Sequence, residues 1–209
     1  MKQPPIIILG GGGHARVLIE TLKLRKERII GITDPSHKAG EKISGLSVLG
    51  DDNAVLEFTN SKIRLVNGLG TIRVSDHRKR IFTYFKSLGY NFASVVHPSS
   101  VIASDVQIGE GVQIMAGTVV QPGTIIRENS IINTRSSIDH DCKIGPHVHI
   151  APGVTLCGGV IVGENSLIGS GSVIIQERHI GPNTLIKAGS TILRNIASSA
   201  SQNLMKRTA

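Results

Sequence analysis

The sequence is poor in aromatic residues and in cysteine, and it contains no tryptophan. Aromatic side chains make up 3% of the 209 residues, and none follows Phe92. The core of the second half must therefore be aliphatic, and this uneven distribution is a first indication of two domains. The two cysteines, Cys142 and Cys157, cannot form a disulfide scaffold, so we expect a reducing, cytoplasmic compartment.

Long hydrophobic runs and acidic residues are also scarce. The apolar run over residues 4–9 is too short for a transmembrane helix or a signal peptide, so no membrane partner is expected. Residues 1–94 hold 15 Lys and Arg against 8 Asp and Glu. A basic N-terminal half favours an anionic ligand. Nucleic acid is not expected, because the chain has no long basic run and no platform of basic and aromatic residues.

The strongest pattern in the sequence is a period of six residues. Every sixth residue from Val96 to Ile192 is Val, Ile or Leu, and the residue four positions further on is small or β-branched except at Arg178. Six residues make one short strand and one corner, and three such units close a turn of 18 residues around the aliphatic side chains. The pattern predicts a parallel β-helix of the hexapeptide-repeat class over residues 95–196, followed by a disordered tail over residues 197–209.

The first 94 residues have the pattern of half a Rossmann fold. An apolar strand runs into a glycine-rich loop and a helix, and a second strand ends at Asp34. The spacing Gly10-x-Gly12-x-x-Ala15 fits the dinucleotide fingerprint, in which N–H groups at a helix N-terminus bind phosphate. Because residues 1–94 hold only half of a doubly wound sheet, a nucleotide-sugar or mononucleotide is expected rather than NAD.

Three further residues of this half are ligand candidates. Gly68 follows a predicted strand and is expected at the same edge of the sheet as the first glycine loop. Arg78 and Arg80 lie on a predicted helix and are candidates for phosphate contact, with a solvated helix face as the alternative.

A family resemblance rests on several motifs that occur together in this chain. They are the glycine loop over residues 10–14, Asp34, Asn133, the segment 137–142 (Ser-Ile-Asp-His-Asp-Cys) and the unbroken hexapeptides. Over residues 5–192 the sequence resembles the bacterial nucleotide-sugar acyltransferases, which include UDP-4-amino-sugar N-acetyltransferases of the bacillosamine pathway and sialic acid O-acetyltransferases. The resemblance implies a left-handed β-helix and a homotrimer with active sites between subunits.

The resemblance also implies roles for individual residues. His140 matches the catalytic base, Asp141 the acidic neighbour that orients this base, and Asn133 a position near the acceptor group. Acetyl-CoA is the implied co-substrate, and the positions that match its contacts are His149, Gly158 and Ala188. Nucleotide-sugar binding is expected at Gly12, Gly13, His14, Asp34, Gly68 and Arg78. The Gly-x-Pro-Ala-Lys segment that ends many relatives is missing here.

The leading hypothesis is an acetyl-CoA-dependent N-acetyltransferase for a nucleotide-linked amino sugar in bacterial surface glycan synthesis. A histidine, whose pKa lies near neutral pH, is suited to take a proton from the attacking amine. The same histidine would activate a hydroxyl, so O-acetylation of a sialic-acid-like sugar is the first alternative. Cys142 occupies a small inward position and is expected to belong to the core rather than to act as a nucleophile.

Two alternatives lie outside acyl transfer. A zinc hydro-lyase of the γ-carbonic-anhydrase type requires three histidines on one metal. Gly158 and Gln176 follow His140 one and two turns later, so no column of histidines is present and no metal site is predicted. A non-catalytic scaffold that binds sugar nucleotides is the other alternative.

Overall fold

A computed structural model describes residues 3–71 and 73–197, and their contacts divide the chain into two compact units. The first unit consists of Met1–Gly70 and His77–Pro98, and the second of Thr71–Asp76 and the chain from Ser99 onward. The segment Thr71–Asp76 thus packs with the second unit, a feature absent from the predicted contiguous division at residue 94. The predicted tail lies, apart from Ala197, outside the described residues.

The first unit is an α/β fold built on one sheet. Its elements are β1 (Ile6–Leu9), α1 (Gly13–Leu24), β2 (Ile29–Thr33), β3 (Lys42–Ile43), β4 (Leu46–Gly50), two 3₁₀ helices (Asp52–Glu57 and Asn60–Lys62), β5 (Arg64–Asn67), α2 (His77–Ser87) and β6 (Val95–Val96). The sheet has the order β3-β4-β2-β1-β5, and all its pairs are parallel except β3 with β4. Strand order reverses at β1, so the loops after β1 and β5 flank the point where open α/β sheets bind ligands.

The core of this unit explains both its apolar strand and its aromatic residues. All four residues of β1 are fully buried, as expected for a parallel strand covered on both faces. The buried aromatic side chains pack together, and the ring centroids of Phe82 and Phe92 lie 4.5 Å apart. The Tyr90 hydroxyl donates hydrogen bonds to the carbonyl oxygens of Val55 and Phe58.

The second unit is a parallel β-helix made of two-residue strands. They are β7 (Val101–Ile102), β8 (Gln107–Ile108), β9 (Gln113–Ile114), β10 (Val119–Val120), β11 (Ile125–Ile126), β12 (Ile131–Ile132), β13 (Ser137–Ile138), β14 (Lys143–Ile144), β15 (His149–Ile150), β16 (Thr155–Leu156), β17 (Ile161–Val162), β18 (Leu167–Ile168), β19 (Val173–Ile174), β20 (His179–Ile180), β21 (Leu185–Ile186) and β22 (Thr191–Ile192). One face holds β22-β19-β16-β13-β10-β7, the second β20-β17-β14-β11-β8, and the third β21-β18-β15-β12-β9. Each residue pairs with the one 18 positions further on, as Ile126 does with Ile144.

The six-residue pattern accounts for the interior of this coil. From Ile114 to Ile192 every sixth residue is at most 2% exposed. The small inward residue often donates a side-chain hydrogen bond to the carbonyl 15 residues later, as Ser136 does to Ala151 at 3.0 Å. Cys142 fills the same position and its thiol donates to the carbonyl of Cys157. The corners hold residues with positive φ, with values of 54–60° at non-glycine residues from Asn129 to Asn183.

The predicted fold class, an α/β unit followed by a parallel β-helix of hexapeptide repeats, is confirmed. Within the described residues, no helix combines the length and the apolar character needed to cross a membrane.

Candidate active site

Two glycine loops meet at the carboxyl ends of β1 and β5. The N–H of Gly68 donates to the carbonyl of Leu9 at 2.7 Å, and a Cβ at Gly68 would lie 2.7 Å from the same oxygen. This close approach requires glycine. An added Cβ at Gly12 or Gly13 would meet nothing within 4 Å. Gly12 is the N-cap of α1 and His14 lies in its first turn, so the predicted residues border an open helix N-terminus suited to an anion.

Asp34 supports this loop from the end of β2. Its Oδ2 accepts from the N–H of Gly11 at 2.8 Å and its Oδ1 from the N–H of Ser36 at 2.8 Å. Burial raises the pKa of the Asp34 carboxyl, but these backbone hydrogen bonds together with the hydrogen bond and charge of His37 leave this pKa below its ordinary value. The charged carboxylate therefore holds the glycine loop in place.

Arg78 lies behind the second glycine loop instead of at the surface. Its side chain is buried, and Nη1 donates to the carbonyls of Asn67 at 2.8 Å and Leu69 at 2.7 Å. The Asn67 amide donates in return to the Arg78 carbonyl. Burial lowers the pKa of the Arg78 guanidinium to about 9. The arrangement makes Arg78 a support of the loop that carries Gly68, whereas the sequence suggested a contact with phosphate.

His140 and Asp141 form an exposed dyad at the corner between β13 and β14. His140 Nδ1 lies 2.8 Å from Asp141 Oδ2, and the His140 backbone N–H donates to Asp139 Oδ1 at 2.8 Å. The hydrogen bond with Asp141, helped by the charge of Asp139, raises the pKa of the His140 imidazole above its ordinary value. The carboxylate on Nδ1 leaves Nε2 as the nitrogen that can exchange a proton with a substrate.

The imidazole of His140 lies over the α-carbon of Gly158, one turn of the coil later. A Cβ at Gly158 would come within 2.6 Å of His140 Cε1 and Nε2. Glycine at this position therefore makes room for the ring, and the structure brings three predicted residues, His140, Asp141 and Gly158, into one cluster.

A separate pocket of about 460 Å³ runs along the corner between the third and the first face of the coil. Its lining includes three predicted residues, Asn133, His149 and Ala188, and also Thr71, Leu167 and Lys187. His149 is 7% exposed, and its ring lies between two other lining residues, Thr71 and Asn133. Its Nδ1 lies 3.1 Å from the Thr71 carbonyl, and its Nε2 lies 3.2 Å from Asn133 Nδ2.

The predicted residues thus form three groups in one chain. The structure does not place Asn133 beside His140, since Asn133 lies at the corner before β13 and His140 at the corner after it. Sequence reasoning missed Thr71, which comes from a segment outside the repeats. It also missed the stacked pocket residues one turn apart, although the 18-residue period could have shown that Asn133, Ala151, Gly169 and Lys187 share one column.

The zinc alternative requires several ligands that converge on one metal ion. Among residues 3–71 and 73–197, no three His, Cys, Asp or Glu side chains are grouped in a way that could hold a metal ion.

Family models match both units. The model described as PglD N-terminal domain matches residues 5–85, and the bacterial transferase hexapeptide model (six repeats) matches residues 123–158, 141–176 and 159–194. Together with the coil and its histidine dyad, these matches define a hexapeptide transferase with a PglD-type N-terminal domain. No curated protein matches the chain in a sequence comparison.

Comparison with solved structures shows which members of this class the chain is similar to. PerB from Caulobacter crescentus, in complex with CoA and GDP-perosamine, is 34% identical, with a TM-score of 0.87 over 93% of this chain and 91% of that chain. A mutant of the perosamine N-acetyltransferase from the same organism is 33% identical, with a TM-score of 0.85 over 93% and 91% of the two chains. The acetyltransferase domain of PglB from Neisseria gonorrhoeae FA1090, in complex with acetyl coenzyme A, is 27% identical, with a TM-score of 0.86 over 94% of both. The present chain belongs to the bacterial nucleotide-sugar acyltransferases with hexapeptide repeats, and it is an acyltransferase.

Proposed function

We propose that this protein transfers an acetyl group from acetyl-CoA to the amino group of a nucleotide-linked sugar, with His140 as the general base. The observation that carries the proposal is the exposed His140–Asp141 pair lying over Gly158. It provides an imidazole in a defined tautomer with its second nitrogen directed away from the carboxylate.

The chemistry needs one proton acceptor and one oxyanion donor. His140 Nε2 takes a proton from the sugar amine as the amine nitrogen attacks the thioester carbonyl, and Asp141 stabilises the imidazolium that results. The tetrahedral intermediate then collapses, the C–S bond breaks, and the proton on Nε2 passes to the CoA thiolate. Direct transfer in this way leaves no role for a covalent enzyme intermediate.

The backbone N–H of Gly158 is the proposed oxyanion donor. In other repeats the equivalent corner position is occupied by proline, at Pro122, Pro146, Pro152 and Pro182. Because proline has no N–H, hydrogen bonding between turns of the coil does not depend on the N–H at this position. Gly158 can therefore use its N–H for a ligand without weakening the coil.

The pocket beside Asn133 and His149 is the proposed site for the pantetheine arm of acetyl-CoA. Asn133, Ala151, Gly169 and Lys187 follow one another in successive turns along its wall. With turns spaced about 4.8 Å apart, this column is about 14 Å long, which suits an extended chain. Ala188 lies at the far end, and the positive charge of Lys187 there favours the phosphates of CoA.

The open loop formed by Gly12, Gly13 and His14 is the proposed site for the nucleotide-sugar, with Asp34 and Gly68 shaping its edges. The similarity to PerB, whose structure holds GDP-perosamine, supports a GDP-linked amino sugar as an alternative to the UDP-linked substrate expected from the sequence. Two cysteines without a disulfide accord with the proposed cytoplasmic reaction.

We propose a homotrimer in which each active site forms between two copies. Within one chain the dyad and the pocket occupy different corners of the coil, separated by β13. A neighbouring copy would supply the dyad to the pocket of the first, so that thioester and base meet at the interface. Analytical ultracentrifugation tests this assembly, and a monomer that retains full activity would contradict it.

The deciding experiment incubates the protein with acetyl-CoA and a panel of UDP- and GDP-linked amino sugars while following thiol release. We expect turnover with at least one amino sugar, and a fall of about 10²–10⁴-fold in the His140→Ala variant. His179→Ala, which changes an exposed histidine of the same coil, serves as the control. If His140→Ala turns over at the wild-type rate, the base assignment is wrong, and activity with sialic-acid-like hydroxyls alone would favour O-acetylation.

A further inference from the structure

The segment Thr71–Asp76, here called the strap, is bound to the coil near both its ends. His149 Nδ1 lies 3.1 Å from the Thr71 carbonyl, and Asn165 Nδ2 donates to Asp76 Oδ1 at 2.9 Å. Both strap residues come from a part of the sequence that has no hexapeptide repeat. The pocket of the coil therefore receives one of its lining residues, Thr71, from a segment outside the repeats.

The contact with Thr71 determines the tautomer of His149. A carbonyl oxygen only accepts, so Nδ1 must carry the proton, and Nε2 is then an acceptor for Asn133 Nδ2. The amide orientation of Asn133 agrees, because its Oδ1 accepts from the N–H of Thr134 at 2.8 Å. The neutral Nδ1–H form of His149 is thus selected from both sides.

Asn165 has a feature that its position in the repeat does not explain. It is a corner residue with φ of 55°, a conformation that asparagine tolerates well, and this alone would justify the residue type. However, its side chain is also nearly buried, and its Nδ2 donates to Asn183 Oδ1 at 2.8 Å as well as to Asp76. Both hydrogens of the amide are therefore used, one along the coil and one toward the strap.

We propose that Asp76 and Asn165 are positioning residues for the pocket: their hydrogen bond holds the strap so that Thr71 keeps His149 in its Nδ1–H form beside Asn133. The interpretation of the pocket as an acyl-donor site rests on the proposed function. This hydrogen bond between Asp76 and Asn165, here called the pin, acts through Thr71, and neither residue contacts a substrate.

Substitution of Asp76 tests the pin with little effect on folding, because the residue is exposed. Asp76→Ala removes the acceptor and is expected to raise the KM for acetyl-CoA about 5- to 30-fold, the effect of losing one or two hydrogen bonds. The KM for the nucleotide-sugar should stay within about twofold, since only the acyl-donor pocket is disturbed. Asp76→Asn keeps Oδ1 as an acceptor and should restore the wild-type KM.

An exchange of the two partners gives a second, independent test. Asn165→Asp places two carboxylates against each other and should reproduce the defect of Asp76→Ala. Combining Asn165→Asp with Asp76→Asn restores a donor and an acceptor in reversed order and should recover acetyl-CoA binding. Asn183→Gly removes the other partner of the Asn165 amide, keeps the corner conformation, and should leave the KM unchanged.

The tautomer of His149 is read by nitrogen NMR of the full chain labelled in histidine, with CoA binding measured by calorimetry. We expect the Nδ1–H form in the wild type, and a mixture of tautomers together with weaker CoA binding in Asp76→Ala. An unchanged spectrum and unchanged CoA affinity in Asp76→Ala would overturn the proposal, as would a defect in Asp76→Asn as large as that in Asp76→Ala. The NMR spectrum and the CoA affinity are measured without turnover. Absence of activity in the wild type would therefore count against the proposed function, whereas these two measurements would still test the positioning role of Asp76 and Asn165.

Discussion

The carboxylate of Asp141 lies directly over the α-carbon of Gly123, one turn earlier in the coil. A Cβ at Gly123 would come within 2.4 Å of Asp141 Oδ1, just as a Cβ at Gly158 would come within 2.6 Å of His140. The dyad is therefore held between two turns that have no side chain at the point of contact. The geometry of the dyad therefore requires glycine at both positions.

Gly123→Ala is expected to displace the Asp141 carboxylate from His140 and to lower kcat about 10- to 100-fold. Gly117→Ala is the matched control. Both glycines have a positive φ, 72° at Gly123 and 67° at Gly117, but the nearest atom at Gly117 belongs to the flexible side chain of Arg135 at 3.4 Å. Each variant should lose about 1–2 kcal/mol of stability because alanine disfavours this conformation. Steady-state kinetics and thermal unfolding separate the two effects, and equal losses of activity would contradict the prediction.

Gly158→Ala is expected to push the imidazole of His140 aside and reduce kcat about 100-fold with the coil intact. Gly158 is not in the left-handed region, so alanine brings no backbone strain there. Ser104→Ala, at the same corner position of an earlier repeat, is the control. Thiol release measured at saturating substrates checks the result. A Gly158→Ala enzyme with wild-type kcat would mean that the ring position over this glycine does not matter.

The pH dependence of kcat/KM should report the environment of His140. The hydrogen bond that His140 Nδ1 donates to the Asp141 carboxylate raises the pKa of His140, and the charge of Asp139 raises it further. A general base must be neutral, so activity falls as the pH drops below this pKa. Asp141→Asn should therefore move the acidic limb to lower pH while reducing the plateau rate, and Asp139→Asn should move it less. An acidic limb at the same or higher pH in Asp141→Asn would show that another group controls it.

Cys142→Ser is expected to retain most of the activity and to change stability by less than about 1 kcal/mol. Burial raises the pKa of the Cys142 thiol to about 11, so the thiolate is not formed at neutral pH. Serine at the equivalent position 136 makes the same type of hydrogen bond, to a carbonyl 15 residues later. Activity assays and thermal unfolding test this. A tenfold or larger loss of kcat with unchanged stability would assign the thiol a chemical role.

Arg78→Met should destabilise the N-terminal unit by about 2 kcal/mol or more, because the carbonyls of Asn67 and Leu69 lose their shared donor. The loop that carries Gly68 should loosen, which raises the KM for the nucleotide-sugar and leaves CoA affinity unchanged. Arg80→Met, at an exposed site on the same helix, is the control. Denaturant unfolding and calorimetry with CoA measure both effects, and a loss of CoA affinity alone would contradict this assignment.

The period of the sequence predicted the coil well because each turn repeats the same contacts. An inward residue such as Ile138 meets its equivalents 18 positions away, so local spacing fixes which side chains are buried and which strands pair. The glycine loops were likewise predictable, because close backbone approach at Gly68 leaves no room for another residue type.

The positions of the chemical groups depend on contacts that no local pattern encodes. A six-residue period distinguishes inside from outside, but it does not say that His140 leans over Gly158 while Asn133 bonds to His149. The buried side chain of Arg78 bonds to the carbonyl of Asn67, and Asn165 donates a hydrogen bond to Asp76. In both cases the two partners belong to different elements of the chain. Because the repeat is regular, the sequence alone determined the architecture of the coil. The arrangement of the site residues was decided only by the tertiary structure, because long-range packing sets the direction of each polar side chain.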